Sequence, residues 1–126
     1  MIAGRGKAPA MKNRPFTTRL GFALAGIRAC WRTEHSFRTH CACAALAAIA
    51  LCTIQPAPVW WALTSLAVAL ILALELLNSA IERLIDHLRP DIHPEIKQVK
   101  DMAAGAVLTI SLGALVIAAS LAVTMA

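Results

Sequence analysis

The chain has 126 residues, of which 59% are hydrophobic, with a net charge of +5 and a mean hydropathy of +0.67. Soluble domains contain roughly 45–50% apolar residues, so this composition excludes an ordinary soluble domain and predicts that lipid covers much of the apolar surface. Aromatic residues make up only 5% and Tyr is absent, which argues against a nucleic-acid partner whose bases stack on aromatic rings.

The N-terminal third contains two predicted elements. Residues 1–15 are rich in Gly, Pro, Lys and Arg, which predicts a disordered basic arm. Residues 16–34 predict a helix, because apolar side chains recur on one helical face at Leu20, Leu24, Ile27 and Trp31. Arg28 and Arg32 lie nearby, so we expect an amphipathic helix at the membrane surface with its cations near lipid phosphates. A surface helix packed on protein is the alternative.

Three apolar segments follow and predict membrane-spanning helices at about 36–54, 59–81 and 102–125, since a span needs roughly 17–25 residues. The first segment reaches this length only when polar residues from Ser36 onward are included. The predicted fold is an all-α membrane protein, in which an N-terminal amphipathic surface helix precedes three transmembrane helices within one domain, residues 16–126.

The positive charges are distributed unevenly along the chain. Eight of the 12 Lys and Arg residues precede the apolar run that starts at Cys41, and the other four lie between the second and third spans. The positive-inside rule therefore predicts a cytoplasmic N-terminus and a cytoplasmic loop at 82–101. All seven acidic residues lie on or near this side, so we expect any chemistry at the inner face of the membrane.

Polar residues in and beyond the second span lie on one face of the predicted helix. At 100° per residue they occupy an arc of about 80°, and this polar stripe is made of Glu75, Asn78, Glu82 and Asp86. Carboxylates grouped with an amide suit a divalent cation held by oxygen ligands, or a general base. The alternative is a polar seam, with Asn78 and Ser79 bonded across helices and the carboxylates paired with Arg83 or a neighbouring subunit. This seam does not account for Glu75, because the second span contains no Lys or Arg.

The segment between the second and third spans contains two helix-breaking prolines, Pro90 and Pro94. Lys100 and Asp101 follow at the start of the third apolar segment. This order predicts Asp101 as the N-cap of the third helix, and Lys100 as a phosphate contact beside the helix N-terminus.

Two short motifs resemble known sites but predict none. The sequence GRGK at residues 4–7 lacks the spacing of a phosphate-binding loop and has no preceding strand. The sequence HCAC at residues 40–43 would place its two cysteines about 200° apart on a helix, so they cannot converge on one metal ion.

The stripe and the following segment resemble a known family. ELLNSAIERLID at residues 75–86, followed by KDMAAGAV at 100–107, resembles the prokaryotic diacylglycerol kinases, which are small three-span membrane enzymes. GIRACWRTEHSFR at residues 26–38 is similar to the family's pattern of Gly, Arg and Trp followed by Glu, Phe and Arg. The resemblance implies a homotrimer in the bacterial inner membrane that transfers the γ-phosphoryl group of ATP to a lipid hydroxyl and requires Mg²⁺.

The resemblance also implies roles for individual residues. Glu75 would take the proton from the lipid hydroxyl and Asn78 would support the catalytic face, while Glu34 and Glu82 would hold the metal ion that bridges the phosphates of ATP. The remaining contacts to ATP would come from Asp91, His93, Lys100 and Asp101. The contacts to the lipid, besides Glu75, would come from Arg28, Trp31, Phe37 and Arg38.

Two questions of function remain open at this stage. Ser79 after Asn78 favours diacylglycerol as the acceptor, with phosphatidic acid as the product, whereas the undecaprenol kinases of the same family more often carry Thr there. A non-enzymatic alternative is a small oligomeric cation channel or transporter subunit, although its acidic stripe should cross the whole bilayer and this one ends at Glu75. The chain departs from the family at four positions: Pro15 replaces a basic residue, Phe22 a Tyr, Leu24 an aromatic residue and His40 a carboxylate.

Overall fold

The computed structural model describes residues 13–126 and is built of α-helices. In chain order these are α1 (Phe16–Thr33), α2 (His35–Ile54), α3 (Pro58–Leu88) and α4 (Pro94–Met125). The predicted all-α class is therefore confirmed. The basic arm predicted for residues 1–15 lies outside the described residues, except for its last three positions.

As the sequence predicts, α2, α3 and α4 are each long and apolar enough to cross a membrane. α3 and α4 have 31 and 32 residues. At 1.5 Å per residue each is about 47 Å long, which exceeds the roughly 30 Å hydrocarbon core of a bilayer. Both helices therefore continue beyond the lipid, and the polar residues at the C-terminal end of α3 and the N-terminal end of α4 are carried on regular helix.

The connection between α2 and α3 is a tight turn. Gln55 ends α2 in the left-handed conformation, with φ of 52°, and its backbone N–H donates to the carbonyl of Leu51 at 2.9 Å. Its side chain donates to the carbonyl of Cys52 at 2.7 Å. Pro58 then begins α3 at a position where its missing N–H leaves no intrahelical bond unmade. Two helices of opposite direction are thus joined at one end of the bundle.

The start of α4 differs from the predicted start. The helix begins at Pro94, and His93 is its N-cap, with the His93 Nδ1 accepting from the Glu95 N–H at 3.2 Å. The prediction that Asp101 is the N-cap is therefore wrong, and Lys100 does not lie beside a helix N-terminus. The physical reason is that Pro94 presets a helical φ at the first helical position, so the helix nucleates there.

The helices bury few side chains within one chain. α3 packs most extensively on α4 and next on α2, while α1 contacts α2 and α3. The buried apolar residues are Cys30, Phe37, Leu51, Ala67, Ile71, Val107 and Leu121. The four apolar residues that define the predicted amphipathic face of α1 are all exposed, as are many large apolar residues of the spans. These surfaces are available to lipid or to other subunits.

Candidate active site

The polar stripe of α3 is graded in exposure along the helix. Glu75 is 3% exposed, Asn78 and Glu82 are half-buried, and Asp86 is exposed. A buried carboxylate is costly unless hydrogen bonds or opposite charge compensate it. Of the four stripe residues, Glu75 therefore has the greatest need of hydrogen-bond or charged partners.

Two side chains of α2 contact the carboxylate of Glu75. Ser36 Oγ donates to Oε2 at 3.0 Å, and His40 Nδ1 lies 2.8 Å from Oε1. The His40 contact has the distance of an ion pair, although the ring is not aligned for a hydrogen bond. Ser36 and His40 are four residues apart, so they share one face of α2. Both carboxylate oxygens thus have a partner, and the sequence alone does not identify either one.

Glu34 lies at the junction of α1 and α2, in an extended conformation that separates the two helices. Its Oε1 accepts from Thr33 Oγ1 at 3.1 Å and lies 3.5 Å from the Arg83 guanidinium of α3. Arg83 also donates to the Thr33 hydroxyl. These contacts tie the helix junction to α3 at the residue next to Glu82. Within residues 13–126, Arg83 pairs with Glu34, whereas the polar seam would require it to pair with a carboxylate of the stripe.

Asn78 and Glu82 interact within the stripe. The Asn78 side-chain N–H donates to Glu82 Oε1 at 3.4 Å. The Asn78 amide oxygen, Oδ1, is buried and accepts no hydrogen bond within residues 13–126. Ser79, on the neighbouring face, accepts from Cys30 Sγ at 3.5 Å and so links α3 to α1. The cross-helix bond predicted for Ser79 is confirmed, whereas Asn78 bonds within its own helix.

The oxygen atoms of this region have the chemistry that Mg²⁺ prefers. Glu34 and Glu82 supply carboxylates, and the unpaired amide oxygen of Asn78 lies beside Glu82. Over residues 13–126, no group of three or more His, Cys, Asp and Glu side chains converges on one point. Because Mg²⁺ commonly takes one or two carboxylates and completes its shell with waters and substrate phosphates, two carboxylates fit this ion.

The remaining predicted nucleotide contacts lie in the α3–α4 connection and in the first two turns of α4, and all but the half-buried Lys100 are exposed. Lys100 Nζ is 2.5 Å from Asp86 Oδ1, so it joins α4 to the end of the polar stripe. Asp101 pairs with Lys97 at 2.5 Å, one turn earlier on α4. Asp91 is 3.3 Å from Arg89, and this hydrogen bond holds the pKa of the Asp91 carboxyl below its ordinary value. The structure therefore brings Lys100 to the stripe, whereas the predicted Asp91 and Asp101 contacts pair with other residues.

The predicted lipid contacts differ in exposure. Arg38 Nη1 donates to the carbonyl of Trp31 at 2.7 Å, which holds the α1–α2 junction closed around Glu34. Trp31 and Arg28 are exposed, whereas Phe37 is only 4% exposed and is covered by protein.

The comparison with known proteins decides the family. The family model for prokaryotic diacylglycerol kinase matches residues 21–122, which include every candidate site residue named above. The chain belongs to the prokaryotic diacylglycerol kinase family. The match confirms the resemblance on which the residue roles were based.

Individual members of the family are also similar to this chain. The diacylglycerol kinase of Escherichia coli (strain K12) is 33% identical over 88 residues, which cover 70% of this chain and 72% of that protein. The undecaprenol kinase of Bacillus subtilis (strain 168) is 38% identical over 89 residues, which cover 68% and 72%. The diacylglycerol kinase of Helicobacter pylori (strain J99) is 30% identical over 89 residues, which cover 71% and 70%.

These relatives have in common the transfer of a phosphoryl group to a lipid. The chain is therefore a membrane-protein lipid kinase that uses a nucleotide as phosphoryl donor. The channel or transporter alternative is not supported. Because relatives named diacylglycerol kinase and undecaprenol kinase both match the chain, the matches do not identify which lipid this chain phosphorylates.

Proposed function

We propose that this lipid kinase transfers the γ-phosphoryl group of ATP to diacylglycerol and forms phosphatidic acid at the cytoplasmic face of the bacterial inner membrane. The observation that carries the proposal is the buried carboxylate of Glu75, which has a partner on both oxygens and lies at the end of the apolar part of α3. A lipid hydroxyl stays near the membrane surface, so the base that deprotonates it has to lie at the edge of the apolar segment. Of the acidic residues that the structure describes, Glu75 is the one that is buried at such an edge.

Glu75 acts as the general base in this proposal. It takes the proton from the lipid hydroxyl while the hydroxyl oxygen attacks the γ-phosphorus, and the bond between that phosphorus and ADP breaks. An ionised carboxylate has about four acceptor positions, so it can accept this proton while Ser36 and His40 remain in contact with it. Glu82 lies two turns further along α3, about 10 Å away along the axis, which leaves room for the hydroxyl and the phosphates between them.

Glu34 and Glu82 hold Mg²⁺ in this proposal, and Asn78 supports them from the same face. When bound, the ion neutralises charge on the phosphates, which together with positioning is the main source of catalysis in phosphoryl transfer. Arg83 holds the Glu34 side chain towards α3, since it contacts both Glu34 and the adjacent Thr33. The two carboxylates thus come from the α1–α2 junction and from α3, and Arg83, next to Glu82 in the sequence, links that junction to α3.

Lys100 is the proposed contact to the phosphates of ATP. It is 33% exposed and pairs with Asp86, whereas the neighbouring Lys97 is 74% exposed and pairs within α4. We expect Lys100→Ala to raise the KM for ATP by about tenfold with a smaller effect on kcat, because a phosphate contact made before and during transfer is lost. Lys97→Ala is the matched control and should change the KM by less than about twofold. Steady-state kinetics at varied ATP concentration measures both, and equal effects of the two substitutions would contradict the assignment.

Ser79 favours diacylglycerol as the acceptor. We expect purified protein in mixed micelles with Mg²⁺ and ATP to phosphorylate diacylglycerol with at least about tenfold higher kcat/KM than undecaprenol. The reverse preference would identify an undecaprenol kinase. Phosphorylation of neither lipid would contradict the proposed function.

The proposed assembly is a homotrimer with a cytoplasmic N-terminus. The large exposed apolar side chains of α2 and α4, and an apolar groove of about 680 Å³ between α2, α3 and α4, support a bundle that is completed by other copies or lipid. The concentration of Lys and Arg at residues up to Arg38 and from Arg83 to Lys100 supports the orientation. Since one chain supplies only two proposed carboxylate ligands, the remaining positions around the ion are open to groups from a neighbouring subunit.

A further inference from the structure

The carboxylate of Glu75 is enclosed by protein. Its side chain is 4% exposed, and its polar partners within residues 13–126 are Ser36 and His40. A general base that takes a proton in each turnover has to release that proton before the next turnover. On the basis of the base assignment proposed above, we propose that His40 is the proton relay that returns Glu75 to its carboxylate form after each phosphoryl transfer.

The distance between His40 and Glu75 implies a shared proton. His40 Nδ1 and Glu75 Oε1 are 2.8 Å apart, and two atoms that both carry only lone pairs repel each other at that distance. A proton therefore lies on one of the two atoms. His40 Nδ1 makes no aligned hydrogen bond to any other group in the described residues, so no competing partner holds it.

The chemistry of the two partners favours His40 over Ser36 as the relay. Ser36 Oγ uses its one proton to donate to Glu75 Oε2, and a serine hydroxyl does not readily gain or lose a proton near neutral pH. Imidazole changes its charge between about pH 5 and 8 and has two nitrogens that exchange protons. The His40 side chain is 26% exposed, whereas that of Glu75 is 4% exposed, so a proton moved to His40 is nearer the surface.

The proposed step conserves atoms and charge. The lipid O–H bond and the bond between the γ-phosphorus and ADP break as the new O–P bond forms, and the lipid proton is then on Glu75 as a carboxylic acid. Before this step the proton of the contact is on Nδ1 of neutral His40. After it, the ring exchanges its Nδ1 proton for one on Nε2 through water, and Nδ1 accepts the proton of Glu75. The resulting imidazolium releases its Nε2 proton to water or buffer, which restores the carboxylate and the Nδ1–H beside it.

Within residues 13–126, Glu75 is the charged group that pairs with His40. α4 carries no charged residue or histidine after Asp101. On α2, Arg38 is bonded to the Trp31 carbonyl and His35 contacts Thr39. The charged residues described on α1 form no ion pair with His40.

Three variants of the full-length protein separate a relay from a purely structural contact. His40→Ala removes the ring and opens space beside the groove, His40→Gln keeps a hydrogen-bond donor without a proton-exchanging group, and Ser36→Ala removes the other partner of the same carboxylate. The kcat and KM for diacylglycerol are measured from pH 5.5 to 8.5, with and without imidazole in the buffer. Size-exclusion chromatography in detergent verifies that each variant is folded.

We expect His40→Ala and His40→Gln to lower kcat by at least about tenfold with little change in KM, because proton transfer by a side chain typically contributes 10²–10⁴-fold. Imidazole should restore activity to His40→Ala in a saturable manner but not to His40→Gln, whose side chain fills the space. Ser36→Ala should lose less activity and keep the parent's pH profile.

The relay is overturned by either of two results. One is that the kcat of both His40 variants stays within about twofold of the kcat of the parent protein. The other is that His40→Ala is folded and slow, yet imidazole does not accelerate it and its pH profile matches that of the parent. If the parent protein itself phosphorylates neither lipid, the proposed function fails first, so the two failures are distinguishable.

Discussion

Glu75→Gln is expected to lower kcat for lipid phosphorylation by at least about 100-fold, because a general base contributes 10²–10⁴-fold and glutamine cannot accept the hydroxyl proton. The substitution preserves the size of the side chain, and its amide can still bond to Ser36. The KM values for ATP and lipid should therefore change little. Steady-state kinetics in mixed micelles measures the effect.

Glu95→Gln is the matched control for this substitution. Glu95 is exposed in the first turn of α4 and lies outside the proposed site. The activity of the Glu95→Gln protein should therefore stay within about twofold of that of the parent. A Glu75→Gln protein that is folded and retains near-normal kcat would show that the proton goes elsewhere. Loss of activity together with loss of the folded species would instead point to a structural role for the carboxylate, and Glu75→Asp would then test the base with its charge kept.

The second large effect is expected for the two proposed metal ligands. Glu34→Gln and Glu82→Gln should each raise the Mg²⁺ concentration needed for half-maximal activity by at least about tenfold, because each removes one negatively charged oxygen ligand. At a Mg²⁺ concentration that just saturates the parent, activity should fall by about tenfold or more, and excess Mg²⁺ should restore part of it. Activity measured over a Mg²⁺ titration tests both substitutions.

The same titration of Glu95→Gln gives the background response of an uninvolved carboxylate. Glu34 also contacts Thr33 and Arg83, so Glu34→Gln could lower activity by loosening the helix junction. A structural defect of that kind would lower activity equally at all Mg²⁺ concentrations. An unchanged Mg²⁺ requirement in both variants would therefore remove Glu34 and Glu82 from the metal site.

The helices could be predicted from the sequence because their signals are local. Long apolar runs, the QPAP turn and the prolines before α4 place the spans and their connections without reference to tertiary structure. The start of α4 was the exception, since Asp101 and Pro94 are both acceptable start signals and the sequence provides no measure of their competition. The structure starts the helix at Pro94, which extends it by two turns and places Asp101 in its interior.

The partners of Glu75 could not be predicted by looking along α3 alone. The sequence indicates correctly that no Lys or Arg of the second span can pair with Glu75, but the compensation comes from Ser36 and His40 on the preceding helix. A comparison of how far each residue lies along its helix from the turn between α2 and α3 could have identified these partners. From the turn between the helices, His40 lies about 21 Å along α2 and Glu75 about 26 Å along α3, so they reach similar depths. Periodicity within one helix contains no such information.

The residues proposed to contact ATP show a different limit of prediction from sequence. Lys100 contacts Asp86 across α3 and α4, and this pairing depends on how far the two helices continue beyond the membrane. The sequence places Lys100 after a loop, whereas the structure places it on the second turn of a helix that runs beside α3. The packing of α4 on α3 determines that Lys100, the proposed phosphate contact, pairs with Asp86, and the sequence alone does not contain this packing.

The most direct test of the account is mass spectrometry of lipids after incubation of the parent protein and of Glu75→Gln with ATP, Mg²⁺ and diacylglycerol in vesicles. The account predicts phosphatidic acid from the parent in an amount equal to the ADP formed, and none above the protein-free background from folded Glu75→Gln. Equal phosphatidic acid from both proteins, or ADP formation by the parent with no phosphorylated lipid, would contradict it.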